Sequence, residues 1–202
     1  MPLWKSQPSA PAKESRPALF LDRDGVVNAD RHYLADPHEV EILPGVAEAM
    51  AKARDAGYWL VGVSNQSGLG RGRFTFDDFQ AVMNRLDQLL AGQGVSFDAF
   101  LYCPHAPEQN CACRKPLPGM LDEAAEILNY CASESWVVGD KKSDVQLGRD
   151  AGLGGILVRT GYVLTQEDDV VATWPHDPLV KVVDDLPAAV QYILHPGREE
   201  QL

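Results

Sequence analysis

The stretch Leu19-Phe20-Leu21-Asp22-Arg23-Asp24-Gly25-Val26-Val27-Asn28 decides the expected fold of this 202-residue chain. Its apolar run, from Ala18 to Leu21, predicts a buried strand that stops at two aspartates one residue apart. Side chains alternate between the two faces of an extended chain, so Asp22 and Asp24 are expected to point the same way. Gly25 lets the backbone turn sharply afterwards. Two neighbouring carboxylates repel each other unless a cation or a shared proton intervenes. The pair therefore suggests a hard-metal site in which one carboxylate can act as a nucleophile.

On its own, this short motif is also typical of a solvated turn, and the rest of the chain decides between the two interpretations. Strand-like and helix-like segments alternate along it. Strands are predicted at residues 58–63, 98–103, 135–138, 155–159 and 180–183. Helices are predicted at residues 44–57, 118–130 and 186–194. Two more helices are predicted, one that begins at the Thr75/Asp78 capping box and a short one after Asp144. The alternation predicts an α/β fold with a mainly parallel sheet. Residues 1–17 are expected to form a flexible tail, 18–195 a single domain and 196–202 a second tail.

Polar residues recur where the predicted strands end. These residues are Asp22 and Asp24, then Ser64 and Asn65, then Arg114 and Lys115, then Asp140 and Asp144. The carboxyl ends of parallel strands lie along one edge of a sheet, so these groups are expected to form one site. The chemistry that suits them is phosphoryl transfer. Carboxylates of this set can hold Mg²⁺, and a hydroxyl, an amide and a lysine can neutralise phosphoryl oxygens. Asp24 can protonate the leaving oxygen and later deprotonate a water.

A cysteine-rich loop follows the third predicted strand. It contains Cys103, His105, Cys111 and Cys113, four ligands whose spacing predicts a closed tetrahedral Zn²⁺ site. Since no position is left open for water, the predicted zinc is structural and ties down the segment that carries Arg114 and Lys115. The alternative is that the cysteines are free thiols in a reducing compartment.

Composition excludes several function classes. The formal net charge of −11 argues against a nucleic-acid or anionic-membrane partner. No apolar run is long enough to cross a bilayer, and the N-terminus lacks the apolar core of a signal peptide. We therefore expect a cytoplasmic protein, a monomer, that acts on a small molecule.

The motifs together resemble the haloacid dehalogenase superfamily of phosphatases. L-D-R-D-G-V-V-N, S-N-Q-S-G-L-G-R-G, C-P-H-x5-C-x-C-R-K-P-x-P-G-M and V-G-D-K are similar to the heptose bisphosphate phosphatase family within it, across residues 18–162. The resemblance implies a Rossmann-like sheet with helices on both faces, no large cap domain and a zinc-binding loop insertion. It also implies Mg²⁺-dependent removal of the 7-phosphate from a heptose bisphosphate, in the synthesis of nucleotide-activated heptose for surface glycans.

The resemblance also implies roles for individual residues. Asp22 corresponds to the nucleophile, Asp24 to the acid/base, and Ser64 and Lys115 to further catalytic groups. The expected Mg²⁺ ligands are Asp22, the backbone carbonyl of Asp24, and Asp140. The expected substrate contacts are Asp30, Arg31, His32, Tyr33, Ser64, Asn65, Gln66, Ser67, Arg71, Arg114, Lys115 and Lys141. Two positions depart from the family pattern: Ser64 stands where threonine is frequent, and Gly70 replaces a common alanine, which is expected to make that loop more flexible.

Two alternative functions stay open on the sequence. Histidinol-phosphate phosphatases form a related family with a similar zinc loop, although Arg71 favours a substrate with a second phosphate or sugar hydroxyls. A catalytically inactive, zinc-stabilised binding module is disfavoured because the nucleophile, acid/base, lysine and metal-binding aspartate are all present. The sequence leaves the preferred anomer and the role of Asp144 undetermined.

Overall fold

The computed structural model describes residues 15–161 and 166–196, together with the backbone of residues 3–6. Its strands are β1 (Leu3–Ser6), β2 (Ala18–Leu21), β3 (Trp59–Asn65), β4 (Ala99–Cys103), β5 (Trp136–Gly139), β6 (Gly154–Val158) and β7 (Val180–Val183). Its helices are α1 (Val46–Asp55), α2 (Ser67–Gly70), α3 (Phe76–Ala91), α4 (Gly119–Ile127), α5 (Lys142–Asp150), α6 (Glu167–Thr173) and α7 (Leu186–Leu194). None of the described helices is both long and apolar enough to cross a bilayer.

The strands form one sheet in the order β1-β4-β3-β2-β5-β6-β7. Strands β2 to β7 run parallel, and β1 pairs antiparallel with β4 at the edge. All four residues of β2 are fully buried, which explains why this central strand is apolar throughout and does not alternate. The predicted α/β class and its mainly parallel sheet are confirmed.

Helices cover both faces of the sheet, as expected for the Rossmann-like arrangement. On one face, α1, α3 and α7 pack through residues such as Met50, Leu86 and Val190. On the other face, α4 and α5 pack through Met120 and Leu147. No large cap domain occurs among the described residues, so the carboxyl edge of the sheet is covered only by loops and the short helix α2.

Three of these helices and strands have no counterpart among the predicted elements. Strand β1 lies in residues 1–17, which were expected to form a flexible tail, and its backbone pairs with β4 in a register that includes Leu3 and Leu101. The other two are α2 and α6. The remaining predicted elements are present with ends shifted by a few residues. Helix α4, for example, ends at Ile127 because Leu128 is already extended. Residues 7–14 of the first predicted tail and 197–202 of the second lie outside the described residues.

Candidate active site

The functional side chains lie at the carboxyl ends of three adjacent strands and in the loop after β4, which carries Arg114 and Lys115. Asp22 follows β2, which lies between β3 and β5 in the sheet. Ser64 and Asn65 end β3, and Asp140 follows β5. A cavity of about 480 Å³ opens at this edge and is lined by Asp22, Asp24, Asp30, His32, Tyr33, Ser64, Asn65, Ser67, Arg114, Lys115, Lys141, Ser143 and Asp144. The expected convergence of four separate motifs on one edge of the sheet is therefore present.

Lys115 connects two carboxylates at the floor of this cavity. Its Nζ lies 3.1 Å from Asp22 Oδ1 and 2.6 Å from Asp144 Oδ1. The same Nζ donates a hydrogen bond to the Val63 carbonyl at 2.7 Å. Burial alone would lower the pKa of Lys115, but the negative charges of Asp144 and Asp22 outweigh burial and raise the pKa above its ordinary value. The lysine is thus held as a buried cation.

Asp22 is held in one orientation and as a carboxylate. The backbone N–H of Arg23 donates to its Oδ1 at 2.7 Å, beside the Lys115 contact. Burial would raise the pKa of Asp22, but the charges of Lys115 and Lys141 prevail, so its pKa lies below the usual range. An ionised, oriented carboxylate has the properties of an oxygen nucleophile.

Three buried carboxylates at this edge could hold a metal ion. Asp22, Asp140 and Asp144 each offer an oxygen, and the three oxygens lie within 4.8 Å of one another. Burial, and then the charge of Asp22, raise the pKa of Asp140 to about 6. A dication bound there would relieve this repulsion, and an all-oxygen donor set suits Mg²⁺. The residues therefore fit the expected metal. Asp144 joins the set that the sequence analysis limited to Asp22, Asp24 and Asp140, and its spacing in G-D-x-x-x-D was the available signal.

The acid/base candidate, Asp24, is surrounded by hydrogen-bond donors. Arg23, whose side chain is 1% exposed, donates through Nε to Oδ1 at 3.0 Å and through Nη2 to Oδ2 at 2.7 Å. Asn28 Nδ2 donates to Oδ1 at 3.1 Å, and Gln66 Nε2 donates to Oδ2 at 3.0 Å. The side chain still lines the cavity and is 14% exposed. This set of donors fixes the carboxylate without removing it from the site.

The side-chain amides of Asn65 and Gln66 both form hydrogen bonds within the protein. Asn65 Oδ1 accepts from the Lys115 backbone N–H at 3.0 Å, and its Nδ2 donates to the Lys115 carbonyl at 3.2 Å. Gln66 is 4% exposed and donates to both Ser64 Oγ, at 2.9 Å, and Asp24. Both amides are predicted to contact phosphoryl oxygens or substrate; Asn65 lines the cavity and Gln66 does not.

Several predicted substrate contacts do not line the cavity. Arg31 pairs with Glu41 on the surface at 2.9 Å, and Arg71 pairs with Glu108 at 3.1 Å. Gln66 lies behind the cavity wall. Gly70, where a more flexible loop is expected, is closely packed: a Cβ there would lie 2.6 Å from the Ala106 backbone nitrogen. Gly70 permits close packing of α2 on the cysteine loop. Ser143 lines the cavity but was not predicted as a site residue, because nothing in its local sequence pattern distinguishes it.

The four residues of the predicted zinc site lie together. Cys103 Sγ is 3.5 Å from Cys111 Sγ and 3.6 Å from His105 Nδ1. Cys113 Sγ is 3.2 Å from His105 Nδ1 and 3.5 Å from Cys111 Sγ. Edges of about 3.8 Å between two sulfurs and about 3.5 Å between sulfur and nitrogen are expected around a tetrahedral zinc ion, and these separations lie within a few tenths of an ångström of them. All four cysteines of the chain are free, so the cluster is compatible with metal binding by three thiolates and one imidazole.

The fold and this site define a hydrolase of the haloacid dehalogenase (HAD) superfamily, and comparison with known proteins agrees. The HAD-hydrolase-like family matches residues 112–189. D-glycero-beta-D-manno-heptose-1,7-bisphosphate 7-phosphatase of Vibrio cholerae is 43% identical over 167 residues, which are 79% of this chain and 90% of that protein. The same enzyme of Escherichia coli K12 is 40% identical over 193 residues, 92% of this chain and 99% of that protein.

The chain belongs to the family of these heptose bisphosphate phosphatases. A solved structure supports the assignment: D,D-heptose 1.7-bisphosphate phosphatase from B. bronchiseptica, complexed with magnesium and phosphate, superposes with a TM-score of 0.78 at 36% identity. The match covers 88% of this chain and 98% of that one. The predicted family, fold and class of enzyme, a phosphatase acting on phosphoric monoesters, are confirmed.

Proposed function

We propose that this protein removes the 7-phosphate of D-glycero-β-D-manno-heptose 1,7-bisphosphate by way of an aspartyl-phosphate on Asp22. The observation that carries the proposal is the Asp22–Lys115–Asp144 contact at the carboxyl edge, with Asp24 in the same cavity. These residues are the catalytic groups that a phosphatase needs, and the names of the relatives indicate the substrate. Their names also favour the β anomer, which the sequence left open.

The chemistry takes place in two half-reactions. In the first, an Asp22 carboxylate oxygen bonds to phosphorus, the bond from phosphorus to the C7 oxygen breaks, and Asp24 gives a proton to that oxygen. In the second, water attacks phosphorus, Asp24 takes its proton, and Asp22 is released with inorganic phosphate. Lys115 is already in contact with the nucleophile and neutralises charge on the phosphoryl oxygens. Ser64 Oγ lines the same cavity and can donate to those oxygens.

Two metals fit this chain in different places. Mg²⁺ would be held by carboxylates of Asp22, Asp140 and Asp144 and by the carbonyl of Asp24, and it supplies charge neutralisation between nucleophile and phosphate. Zn²⁺ would be held by Cys103, His105, Cys111 and Cys113, with no position left for water, and so has a structural role. Because this ligand set needs reduced thiols, it also supports a cytoplasmic location.

The direct test compares initial rates of phosphate release from both anomers of the heptose bisphosphate and from histidinol phosphate. We expect the highest kcat/KM for the β anomer, with Asp22→Asn inactive because an amide cannot attack phosphorus. The variant should keep the thermal midpoint of the wild type to within a few degrees. Faster turnover of histidinol phosphate would instead select the related phosphatase family. Absence of turnover on all three compounds by zinc- and magnesium-loaded protein would select the inactive binding module.

A further inference from the structure

The carboxylate of Asp140 is enclosed by backbone from two loops. Asp140 is fully buried and lies directly after β5, with Lys141 between it and α5. The first loop contributes Gly25, where a Cβ would lie 2.7 Å from Asp140 Oδ2. The second loop follows β6 and contributes Gly161, where a Cβ would lie 2.6 Å from Asp140 Cβ and 2.7 Å from its Cγ. Both loops therefore approach Asp140 more closely than any side chain would permit.

The two loops are fastened to each other beside Asp140. Thr160 Oγ1 donates a hydrogen bond to the Gly25 carbonyl. A Cβ on Gly25 would lie 3.1 Å from Gly161 Cα, so the two backbones are also in close contact. The end of β6 is anchored further by the backbone N–H of Arg159, which donates to Asp184 O at 3.0 Å. The loop carrying Gly161 thus cannot retreat without losing the Thr160 bond.

Gly161 is the better position for a substitution, because a side chain added there would crowd Asp140 without straining the backbone. Gly25 has a φ of +80°, so replacing it would strain the backbone as well as crowd Asp140. Gly161 is not among the glycines with positive φ, and its backbone can accept alanine. A methyl group at Gly161 would meet Asp140 Cβ and Cγ, which cannot swing aside as the tip of a long side chain could.

We propose that Gly161 and Thr160 position the Asp140 carboxylate for Mg²⁺, so that this loop sets the affinity of the site for divalent cations. The inference rests on the magnesium site proposed above, and it adds a segment that lies outside all four sequence motifs. Partners that orient a metal ligand typically contribute ~10–100-fold to metal affinity. Gly161 is a positioning residue, because it acts on the metal through Asp140.

The test measures cation binding directly, without substrate. Wild type, Gly161→Ala, Thr160→Val and a control, Gly92→Ala, are desalted into magnesium-free buffer and their zinc content is checked. Gly92 suits as a control because it has a negative φ of −62° and a Cβ there would come no nearer than 3.3 Å to another group, Gln88 O. Binding is followed by Mn²⁺ electron paramagnetic resonance and by Mg²⁺ competition. We expect the Kd to rise ~10–100-fold in Gly161→Ala, to rise less in Thr160→Val, and to be unchanged in Gly92→Ala.

The possible results separate this inference from the proposed function. An unchanged Kd in folded Gly161→Ala overturns the inference, while the magnesium site itself stands. If Gly161→Ala does not fold, Thr160→Val decides, because it keeps Gly161 and replaces the hydroxyl that joins the loops by a methyl group, which cannot donate to the Gly25 carbonyl. Wild-type protein that binds neither Mn²⁺ nor Mg²⁺ would overturn the proposed metal site and this inference together.

Discussion

Lys115 is held at both its backbone and its side chain, and different residues contact each part. Its Nζ reaches Asp22, Asp144 and the Val63 carbonyl. Its backbone N–H and C=O both pair with the side-chain amide of Asn65. These two bonds use one of the two N–H donors and one of the two acceptor lone pairs of the Asn65 amide. The amide therefore holds the backbone of Lys115 in place, and we expect this to be its main effect on catalysis.

Replacing Asn65 by alanine should lower kcat more than it raises KM. The substitution frees the Lys115 backbone, and small misplacements of a catalytic group can cost ~10²-fold in rate. We therefore expect a fall in kcat of ~10–100-fold at saturating Mg²⁺ and substrate. Asn84→Ala, at an exposed position on α3, is the matched control and should behave as wild type. A rise in KM with kcat unchanged would mean that the amide contacts substrate after all.

For single residues, the sequence predicts which side chains belong to the site better than it predicts which groups they contact. Asp22 could be predicted because its place at the end of an apolar run is repeated by polar residues at the ends of other predicted strands, which a solvated turn does not explain. Asn65 and Gln66 satisfy the same rule, yet their amides bond to Lys115 and to Asp24 and Ser64. Which partner an amide takes depends on contacts between residues far apart in the chain. Asn65 and Lys115, for example, are 50 positions apart.

The cysteine loop between β4 and α4 supports other parts of the site besides Arg114 and Lys115, which follow it. The carbonyl of Cys103 accepts a hydrogen bond from the Gln66 N–H at 2.7 Å. The carbonyl of Pro104 accepts one from the Gly70 N–H at 2.8 Å. Gln66 in turn donates to Asp24. The proposed zinc ion is thus linked through a few bonds to both the acid/base candidate and helix α2.

Replacing Cys111 by serine should lower thermal stability and raise KM. A loop of this length has no core of its own, so metal binding supplies much of its folding free energy. We expect the thermal midpoint to fall by at least ~4 °C, since ~1 kcal/mol corresponds to about 2–4 °C in a protein of this size. The metal requirement for turnover should stay with Mg²⁺, because the carboxylate site is separate.

The matched control for this experiment is Cys131→Ser, since Cys131 is a free cysteine outside the cluster. Zinc content by elemental analysis should fall in Cys111→Ser and stay at wild-type level in Cys131→Ser. A Cys111→Ser protein that lacks zinc and yet keeps full stability and KM would contradict the structural role. Complete loss of turnover at saturating Mg²⁺ and substrate would indicate a catalytic zinc instead.

Elements with a strong local pattern could be predicted, and those that depend on distant contacts could not. The Thr75/Asp78 capping box and the apolar stripe behind it give α3, and both halves of the box are formed. Helix α2 contains two glycines in four residues, a composition that disfavours a helix, and it exists where Gly70 packs on the cysteine loop. Strand β1 is defined by its pairing with β4, about a hundred residues later, which no local pattern reveals.

At the scale of the whole molecule, charge sets a condition on substrate binding. The protein carries a formal net charge of −11. The cavity does not reverse that sign: its wall holds four aspartates, Asp22, Asp24, Asp30 and Asp144, against Arg114, Lys115 and Lys141. Asp140, the third carboxylate of the metal site, lies beside them, so a phosphate dianion would approach a site with more carboxylates than cations, within a protein that also repels it. One bound dication would offset this excess of negative charge.

Inorganic phosphate should therefore stabilise the folded protein only when Mg²⁺ is present. A ligand that binds only the native state adds RT ln(1 + [L]/Kd), or ~2.7 kcal/mol at a hundredfold excess over Kd, which corresponds to ~5–10 °C here. Thermal midpoints would be measured in magnesium-free buffer, with Mg²⁺ alone, with phosphate alone and with both. We expect a shift from Mg²⁺ alone, none from phosphate alone, and the largest shift from the pair. Sulfate at matched ionic strength controls for general salt effects, and Asp140→Asn should abolish the joint shift because it removes a metal ligand. If phosphate in magnesium-free buffer gave the same shift as phosphate with Mg²⁺, then Arg114, Lys115 and Lys141 would attract the anion unaided. That result would contradict the proposed need for a bound dication.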